Sequence, residues 1–98
     1  MRFDWDPDKA KANLDKHGVS FQEAIEIFSS GGDYLEIYDE DHSQDEDRFI
    51  AIGSVAGRIV VVVFAEWLED TIRVISARRA TRQEIRLYRE SMKGERDD

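Results

Sequence analysis

The sequence predicts an α+β fold in which a small antiparallel sheet carries helices packed on one face. Short segments of alternating apolar and polar residues predict strands, and two capping-box motifs followed by apolar stripes predict helices. Consecutive strands are separated by short turns, which favours antiparallel pairing. The 98 residues suffice for one domain. We expect it to span 1–94, with a frayed tail at 95–98 and the order β-α-α-β-β-β-β-α.

The first helix has clear start and stop signals. An alternating segment near the N-terminus predicts a short strand, and the helix should begin directly after it. Asp6 is a typical N-cap, and Pro7 is a typical first helical residue. The helix should run to about His17, and Gly18 should end it. One face of this helix is expected to carry Ala10, Leu14 and His17, and another face Lys9, Asn13 and Lys16.

The later elements follow from caps and apolar runs. Ser20 and Glu23 have capping-box spacing and begin a second, short helix. Thr81 and Glu84 repeat this motif at the start of a C-terminal helix. A continuous apolar run predicts a central strand covered on both faces, and three shorter segments predict its neighbours. The central strand is predicted at 58–65 and the others at 34–39, 48–53 and 71–77.

Charge is distributed unevenly along the chain. The formal net charge is −8, and residues 33–47 contain eight acids and no Lys or Arg. Residues 73–93 contain seven bases and two acids. The overall acidity argues against indiscriminate nucleic-acid binding, but the local basic patch permits a specific phosphate site.

The arginines of this patch are the first functional candidates. Arg73 and Arg79 should point to one face of the last strand and Arg78 to the other, while the C-terminal helix carries a stripe of Arg82, Arg86 and Arg89. Guanidinium groups match phosphate oxygens, and fixed cations stabilise the charge that develops when a phosphodiester is cleaved. Alternatively, these arginines pair with the acids of 33–47 or line a solvated helix face. Arg73 lies between apolar neighbours, where a charge needs a partner or a function.

Two further segments offer chemistry. His17 is a candidate general base and Lys16 a candidate phosphate ligand, although both residue types also suit a helix C-terminus. The acidic segment contains His42 and several carboxylates, which suggests either a metal site or an exposed loop. Glu46 precedes a strand and is a candidate general base. Trp67 lies near a turn, where it is expected to be exposed and either contacts a base or a partner or is a simple edge aromatic.

The composition excludes several other classes of protein and of site. The chain contains no cysteine, so disulfides and thiolate zinc sites are excluded. It has no apolar segment of the roughly 20 residues that span a bilayer. The charged N-terminus lacks the apolar region of a signal peptide. We therefore expect a cytoplasmic protein. We also expect no cofactor.

The motifs taken together resemble the BrnT family of bacterial toxins over about residues 2–90. The resemblance rests on the ordered combination of several segments, none of which is specific alone. These are Phe3-Asp-Trp-Asp-Pro7, Asn13-Leu-Asp-Lys-His-Gly-Val-Ser-Phe-Gln-Glu-Ala24, Asp41-His-Ser43, Arg48-Phe-Ile-Ala-Ile-Gly53 and Ile75-Ser-Ala-Arg78, with Glu84 and Tyr88 downstream.

The resemblance implies a function. It implies a RelE-like fold and the toxin half of a type II toxin–antitoxin system, which cleaves RNA and inhibits translation. For the cleavage we hypothesise a metal-independent reaction that gives a 2′,3′-cyclic phosphate. The resemblance also implies a BrnA-type antitoxin, a toxin homodimer within the complex, and DNA contact only through the antitoxin. Together with the charge pattern it gives the candidate catalytic residues Lys16, His17, Glu46, Arg73, Arg78 and Arg79. Candidate RNA or antitoxin contacts are Arg48, Arg82, Arg86, Arg89 and Tyr88. The alternative is a non-catalytic module that binds the antitoxin and acts as a corepressor.

Overall fold

The computed structural model describes residues 1–29 and 33–94, and it confirms the α+β class and the predicted order of elements. The predicted frayed tail, 95–98, lies outside the described residues. Two 3₁₀ turns, at Ile25–Phe28 and Glu40–His42, supplement the main elements. The main elements are β1 (Arg2–Asp4), α1 (Pro7–His17), α2 (Phe21–Ala24), β2 (Tyr34–Tyr38), β3 (Arg48–Val55), β4 (Arg58–Glu66), β5 (Thr71–Arg79) and α3 (Arg82–Gly94). No helix in these ranges is long and apolar enough to cross a membrane.

The five strands form one sheet in the order β1-β5-β4-β3-β2. Strands β2 to β5 are joined by short connections and pair antiparallel, as predicted. Strand β1 instead pairs parallel with β5, so the sheet is mixed. No hairpin links β1 to β5, so no turn fixes the direction of β1 relative to β5.

The first face of the sheet, defined as the face covered by α1 and α2, carries the hydrophobic core. The partly buried Phe28 packs against this core, and its ring centroid lies 5.0 Å from that of Phe64 and 5.4 Å from that of Tyr34. Gly53 leaves room for the helical layer, because a Cβ atom there would lie 2.7 Å from Ile27 Cγ1. The buried core residues include Val19, Phe21, Ala24, Ile27, Ala51, Val55, Val60, Val62, Phe64, Val74 and Ala77.

Helix α3 lies on the second face, opposite α1 and α2. It contacts β2 and β3, and Val61 and Ile52 are buried on this side, outside the core of the first face. The expectation that every helix packs on one face therefore holds for α1 and α2 but not for α3. Strand β4 is apolar on both faces, so burying both requires a layer on each side.

The predicted helix caps are present. The Asp6 side chain accepts hydrogen bonds at the start of α1, and Gly18 ends that helix with φ +71° while its N–H donates to the Leu14 carbonyl. Ser20 and Glu23 form the reciprocal capping box of α2. These local signals fix where α1 and α2 begin and how the chain turns between them.

Helix α1 is attached to the sheet by Asn13, which is only 8% exposed. Its side-chain Nδ2 donates to the carbonyl oxygens of Val19 (3.0 Å) and Ala77 (2.8 Å), and its Oδ1 accepts the N–H of Ala77 (3.1 Å). Asn13 therefore lies on the side of α1 that faces the sheet, whereas Leu14 is 46% exposed. Strand β1 ends at Asp4, so beyond that point the outer edge of β5 needs another partner, and Asn13 provides it.

Candidate functional site

Arg48 and Arg73 lie in one cross-strand row on the second face of the sheet. Arg48 of β3 is paired with Ala65 of β4, and Ala65 is paired with Arg73 of β5. Two strand spacings separate the Cα atoms of the two arginines, a distance of about 10 Å. Flexible guanidinium side chains at this spacing can converge on one phosphate-sized anion.

A β-bulge brings Arg78 to the same face as Arg73. The register of β5 against β4 shifts by one residue and leaves Ile75 without a partner. Residues five positions apart would point to opposite faces of a regular strand, but the extra residue returns Arg78 to the face of Arg73. The prediction that Arg73 shares a face with Arg79 is therefore wrong. Arg79 is paired with Val60 and lies on the first face.

Arg73 is held between a carboxylate and an aromatic ring. Its Nη1 donates to Asp4 Oδ2 at 3.0 Å, and its Cζ lies 5.0 Å from the centre of the Trp67 ring. The other N–H groups of Arg73 donate no hydrogen bond within the described residues. The guanidinium is therefore oriented by two contacts and keeps donors for a further anion.

Arg78 forms a bidentate ion pair with Glu84. Arg78 Nη1 and Nη2 donate to the two Glu84 carboxylate oxygens, each at 2.8 Å. Glu84 also accepts the N–H of Thr81, and Thr81 Oγ1 accepts the N–H of Glu84, so the predicted capping box of α3 is present. The hydrogen bond from Arg78 lowers the pKa of Glu84 to about 2. The Glu84 carboxylate therefore takes part in the cap at the start of α3 and also holds Arg78 of the sheet in place.

This ion pair predicts a pH-dependent contribution to stability. The pKa of Glu84 is 4.5 in its ordinary state and about 2 in the fold, so the folded protein binds this proton less tightly. The contribution is complete above pH 4.5 and is lost as the pH falls towards 2. At 1.36 kcal/mol per pKa unit the shift corresponds to about 3 kcal/mol, and because Arg78 is 40% exposed, screening by solvent reduces the contribution to about 1 kcal/mol.

We expect Glu84→Gln to lower the free energy of unfolding at pH 7, and the deficit to shrink by more than half at pH 3. Glutamine keeps the acceptor for the Thr81 N–H but removes the charge. Urea unfolding of both proteins at the two pH values measures the difference. Glu90→Gln, on the same helix, is the control and should show no such change. An equal deficit for Glu84→Gln at both pH values would contradict the prediction.

Glu46 lies beside Arg48 at the edge of the second face. Its Oε1 is 3.8 Å from Arg48 Nε, a loose ion pair. That Nε atom is buried and donates no hydrogen bond. The backbone N–H of Arg48 donates to Ser43 Oγ at 2.9 Å, which ties the acidic loop to the start of β3. A carboxylate and a partly unsatisfied arginine thus occur together at this end of the site.

Lys16 and His17 lie in the other layer. They form the last residues of α1, which Asn13 attaches to Ala77 on the first face. Lys16 is exposed and His17 is half-buried. Of the predicted catalytic residues, the structure therefore brings Glu46, Arg73 and Arg78 to the second face and places Lys16, His17 and Arg79 with the first.

Helix α3 carries the predicted basic stripe. Arg82, Arg86 and Arg89 are exposed, and they line an open groove together with Ile85, Glu90 and Lys93. Tyr88 is not part of this groove, and its hydroxyl lies 3.4 Å from the Asp33 carbonyl, which connects α3 to the start of β2. The stripe is thus a separate surface from the row of Arg48 and Arg73.

The acidic segment after β2 is an exposed turn and loop. His42 Nδ1 lies 3.0 Å from Asp39 Oδ2, and the Tyr38 hydroxyl donates to Asp47 at 3.0 Å. Within 1–29 and 33–94, no group of three or more His, Asp or Glu side chains is placed to hold a metal ion. Most residues of this segment are exposed, as the exposed-loop interpretation predicts.

Asp4 was missed as a neighbour of the site by sequence reasoning. Its alternation with Phe3 indicates the strand but not the parallel pairing that places it opposite Arg73. The bulge at Ile75 was also missed, because no glycine or proline marks it. The available signal was a charged residue between apolar neighbours, as at Arg73, and it made β5 a candidate strand for the site.

Comparison with known proteins identifies the family. Residues 5–84 match the sequence pattern of a protein family described as "ribonuclease toxin, BrnT, of type II toxin-antitoxin system". The chain belongs to the BrnT family. BrnT membership implies an antitoxin partner, and the matched range contains Arg48, Arg73, Arg78 and Glu84.

A solved BrnT structure has the same fold. The 1.1 Å crystal structure of the Brucella abortus ribonuclease toxin BrnT is 30% identical in sequence, with a TM-score of 0.65. The match covers 84% of this chain and 99% of the Brucella chain. No curated protein sequence matches this chain.

Proposed function

We propose that this BrnT-family chain is a metal-independent endoribonuclease that inhibits translation in the cytoplasm by cleaving RNA and is neutralised by a BrnA-type antitoxin. Family membership supports the class of reaction. The observation that supports the site is the placement of Arg48, Arg73 and Arg78 on the second face, with Glu46 beside Arg48.

The reaction is transesterification within the RNA chain. The 2′-oxygen attacks the adjacent phosphorus and displaces the 5′-oxygen of the next nucleotide. The products are a 2′,3′-cyclic phosphate and a 5′-hydroxyl. The 2′-hydroxyl gives its proton to a base, and the departing 5′-oxygen takes a proton from water. Negative charge accumulates on the phosphoryl oxygens in the transition state, so fixed cations lower the barrier.

Arg48 and Arg73 supply those cations, because the Glu84 carboxylate already neutralises Arg78. Arg73 and Arg48 flank Ala65 and bind the phosphate from two sides. Arg78 lies further along β5, and its ion pair with Glu84 holds it in place for the adjoining part of the RNA backbone. Arginine suits this role because it stays charged and donates two parallel hydrogen bonds to phosphate oxygens.

Glu46 is the proposed general base, because its carboxylate lies next to an arginine of the same face. His17 is the second candidate, with Lys16 and Arg79 as its possible phosphate ligands in the other layer. A base must lie within hydrogen-bond reach of the proton it removes. The two candidates therefore predict binding of RNA to opposite faces of the sheet.

RNA cleavage by the purified chain in EDTA tests the proposal. We expect single-stranded RNA to be cut, and mapping of the ends to give 2′,3′-cyclic phosphate and 5′-hydroxyl groups. A strict requirement for magnesium, or 5′-phosphate ends, would contradict the mechanism. Expression in cells with and without the neighbouring antitoxin gene gives the parallel test, with growth arrest expected only without it.

The groove on α3 supports a second activity, which is antitoxin binding. Four cations of the helix, Arg82, Arg86, Arg89 and Lys93, surround Ile85 and present an exposed basic surface with an apolar centre. Such a surface fits an acidic amphipathic segment. In the non-catalytic alternative, the whole function would be to bind the antitoxin and to act as a corepressor. The complex would then contain a toxin homodimer and would contact DNA through the antitoxin.

A further inference from the structure

Trp67 lies at the hairpin tip between β4 and β5. Its backbone N–H donates to the Thr71 carbonyl at 2.9 Å, which closes the loop. Leu68 and Asp70 adopt left-handed backbone conformations, with φ of 59° and 64°. The Asp70 carboxylate lies 3.0 Å from the N-terminal ammonium group of Met1, so the loop is also tied to the start of β1. The position of Trp67 is therefore fixed by the surrounding backbone.

Trp67 differs from most aromatic residues of the chain. Eight others form ring contacts with one another in or beside the core: Phe3, Trp5, Phe21, Phe28, Tyr34, Tyr38, Phe49 and Phe64. Trp67 is outside these contacts and is 44% exposed. Its ring instead lies against the Arg73 guanidinium, which covers one side of the indole and leaves a large apolar surface to solvent.

We infer that Trp67 is the base-stacking residue of the RNA site, holding a nucleobase of single-stranded RNA beside the phosphate that Arg73 binds. The inference rests on the proposed ribonuclease function and adds a nucleotide subsite to it. An exposed indole next to a phosphate-binding cation is the pairing that single-strand binders use, because every base has a π-face and every nucleotide has a phosphate. Trp67 therefore contributes to affinity for many sequences.

Tryptophan fluorescence reads this contact directly. The chain has two tryptophans, so Trp5→Phe leaves Trp67 as the sole reporter. The probe is a short 2′-deoxy oligonucleotide, which lacks the attacking hydroxyl. We expect it to quench Trp67, and the same backbone with abasic positions to quench far less. Should Trp5→Phe fail to fold, the difference in quenching between the wild type and Trp67→Phe gives the same signal.

Substitution at Trp67 completes the test. We expect Trp67→Leu to bind the base-containing probe on the order of tenfold more weakly, and to lose much less affinity for the abasic probe, where only the Trp67 contact that helps to orient Arg73 is lost. Trp67→Phe keeps a π-face and should recover most of the affinity. The same tenfold loss should appear in KM for RNA cleavage, and kcat should fall by a smaller factor, because Asp4 still orients Arg73.

These experiments distinguish failure of the Trp67 subsite from failure of the proposed ribonuclease function. If the wild type neither binds nor cleaves single-stranded nucleic acid, the proposed function and the subsite both fail. If RNA is cleaved but Trp67→Leu binds both probes as well as the wild type, only the subsite is wrong. If Trp67→Leu loses affinity for the antitoxin and not for the oligonucleotide, Trp67 is a protein contact and the inference is overturned.

Discussion

Asn13→Ala is expected to destabilise the protein by about 3 kcal/mol or more. The substitution leaves the carbonyl oxygens of Val19 and Ala77 and the N–H of Ala77 without their partner. A buried polar group left unpaired costs about 1–3 kcal/mol. Small domains have only about 5–15 kcal/mol of stability in total, so this loss is a large fraction of it. Urea denaturation followed by circular dichroism measures the change.

Leu14→Ala is the matched control on the same helix. Leu14 is 46% exposed, so removing its side chain should cost less than about 1 kcal/mol. Asn13→Asp should be destabilising as well, because it places a carboxylate against two carbonyl oxygens. A larger loss for Leu14→Ala than for Asn13→Ala would show that the helix packs on its apolar residue after all.

Arg73→Ala is expected to reduce kcat/KM for RNA cleavage about 100-fold, the usual effect of removing one preorganised donor to a developing charge. Folding should change little, because the ion pair with Asp4 is partly exposed and such pairs contribute at most about 1 kcal/mol. Arg73→Lys keeps the charge but loses the fork geometry, so an intermediate rate is expected. Cleavage assays together with thermal melting separate the two effects.

Lys11→Ala is the control for Arg73→Ala. It removes an exposed cation from α1, away from the second face, and should leave the rate unchanged. Arg79→Ala and His17→Ala test the opposite layer, and a larger loss there than at Arg73 would move the site to the first face. Full cleavage by Arg73→Ala with lost antitoxin affinity would make this arginine an interface residue and favour the binding-module alternative.

The local parts of the fold were predictable from short motifs. Asp6, Ser20 and Thr81 start the three helices because each offers a side-chain acceptor to N–H groups that the first turn leaves free. Gly18 ends α1 because the left-handed conformation costs glycine little. These effects act over three or four residues, so no tertiary information is needed to see them.

The candidate site was predictable by residue type and only partly by geometry. Arg73 was identified because a charge in an apolar strand needs a partner, and Arg78 because it continues the same run. Their common face depends on the extra residue at Ile75, whose effect is felt only against β4. The partner of Arg73, Asp4, lies 69 positions away in sequence. Sequence spacing carries no information about contacts of that kind.

The sequence alone therefore determined the α+β class, the helix caps, the central position of β4 and the choice of arginines, since all of these follow from side-chain chemistry and short-range periodicity. Only the tertiary structure decided that β1 joins the edge of β5 in parallel, that Asn13 rather than Leu14 faces inward, and that Arg73 and Arg78 share a face. Each of these depends on which backbone groups are left unpaired once distant strands have met, and that is a property of the assembled sheet.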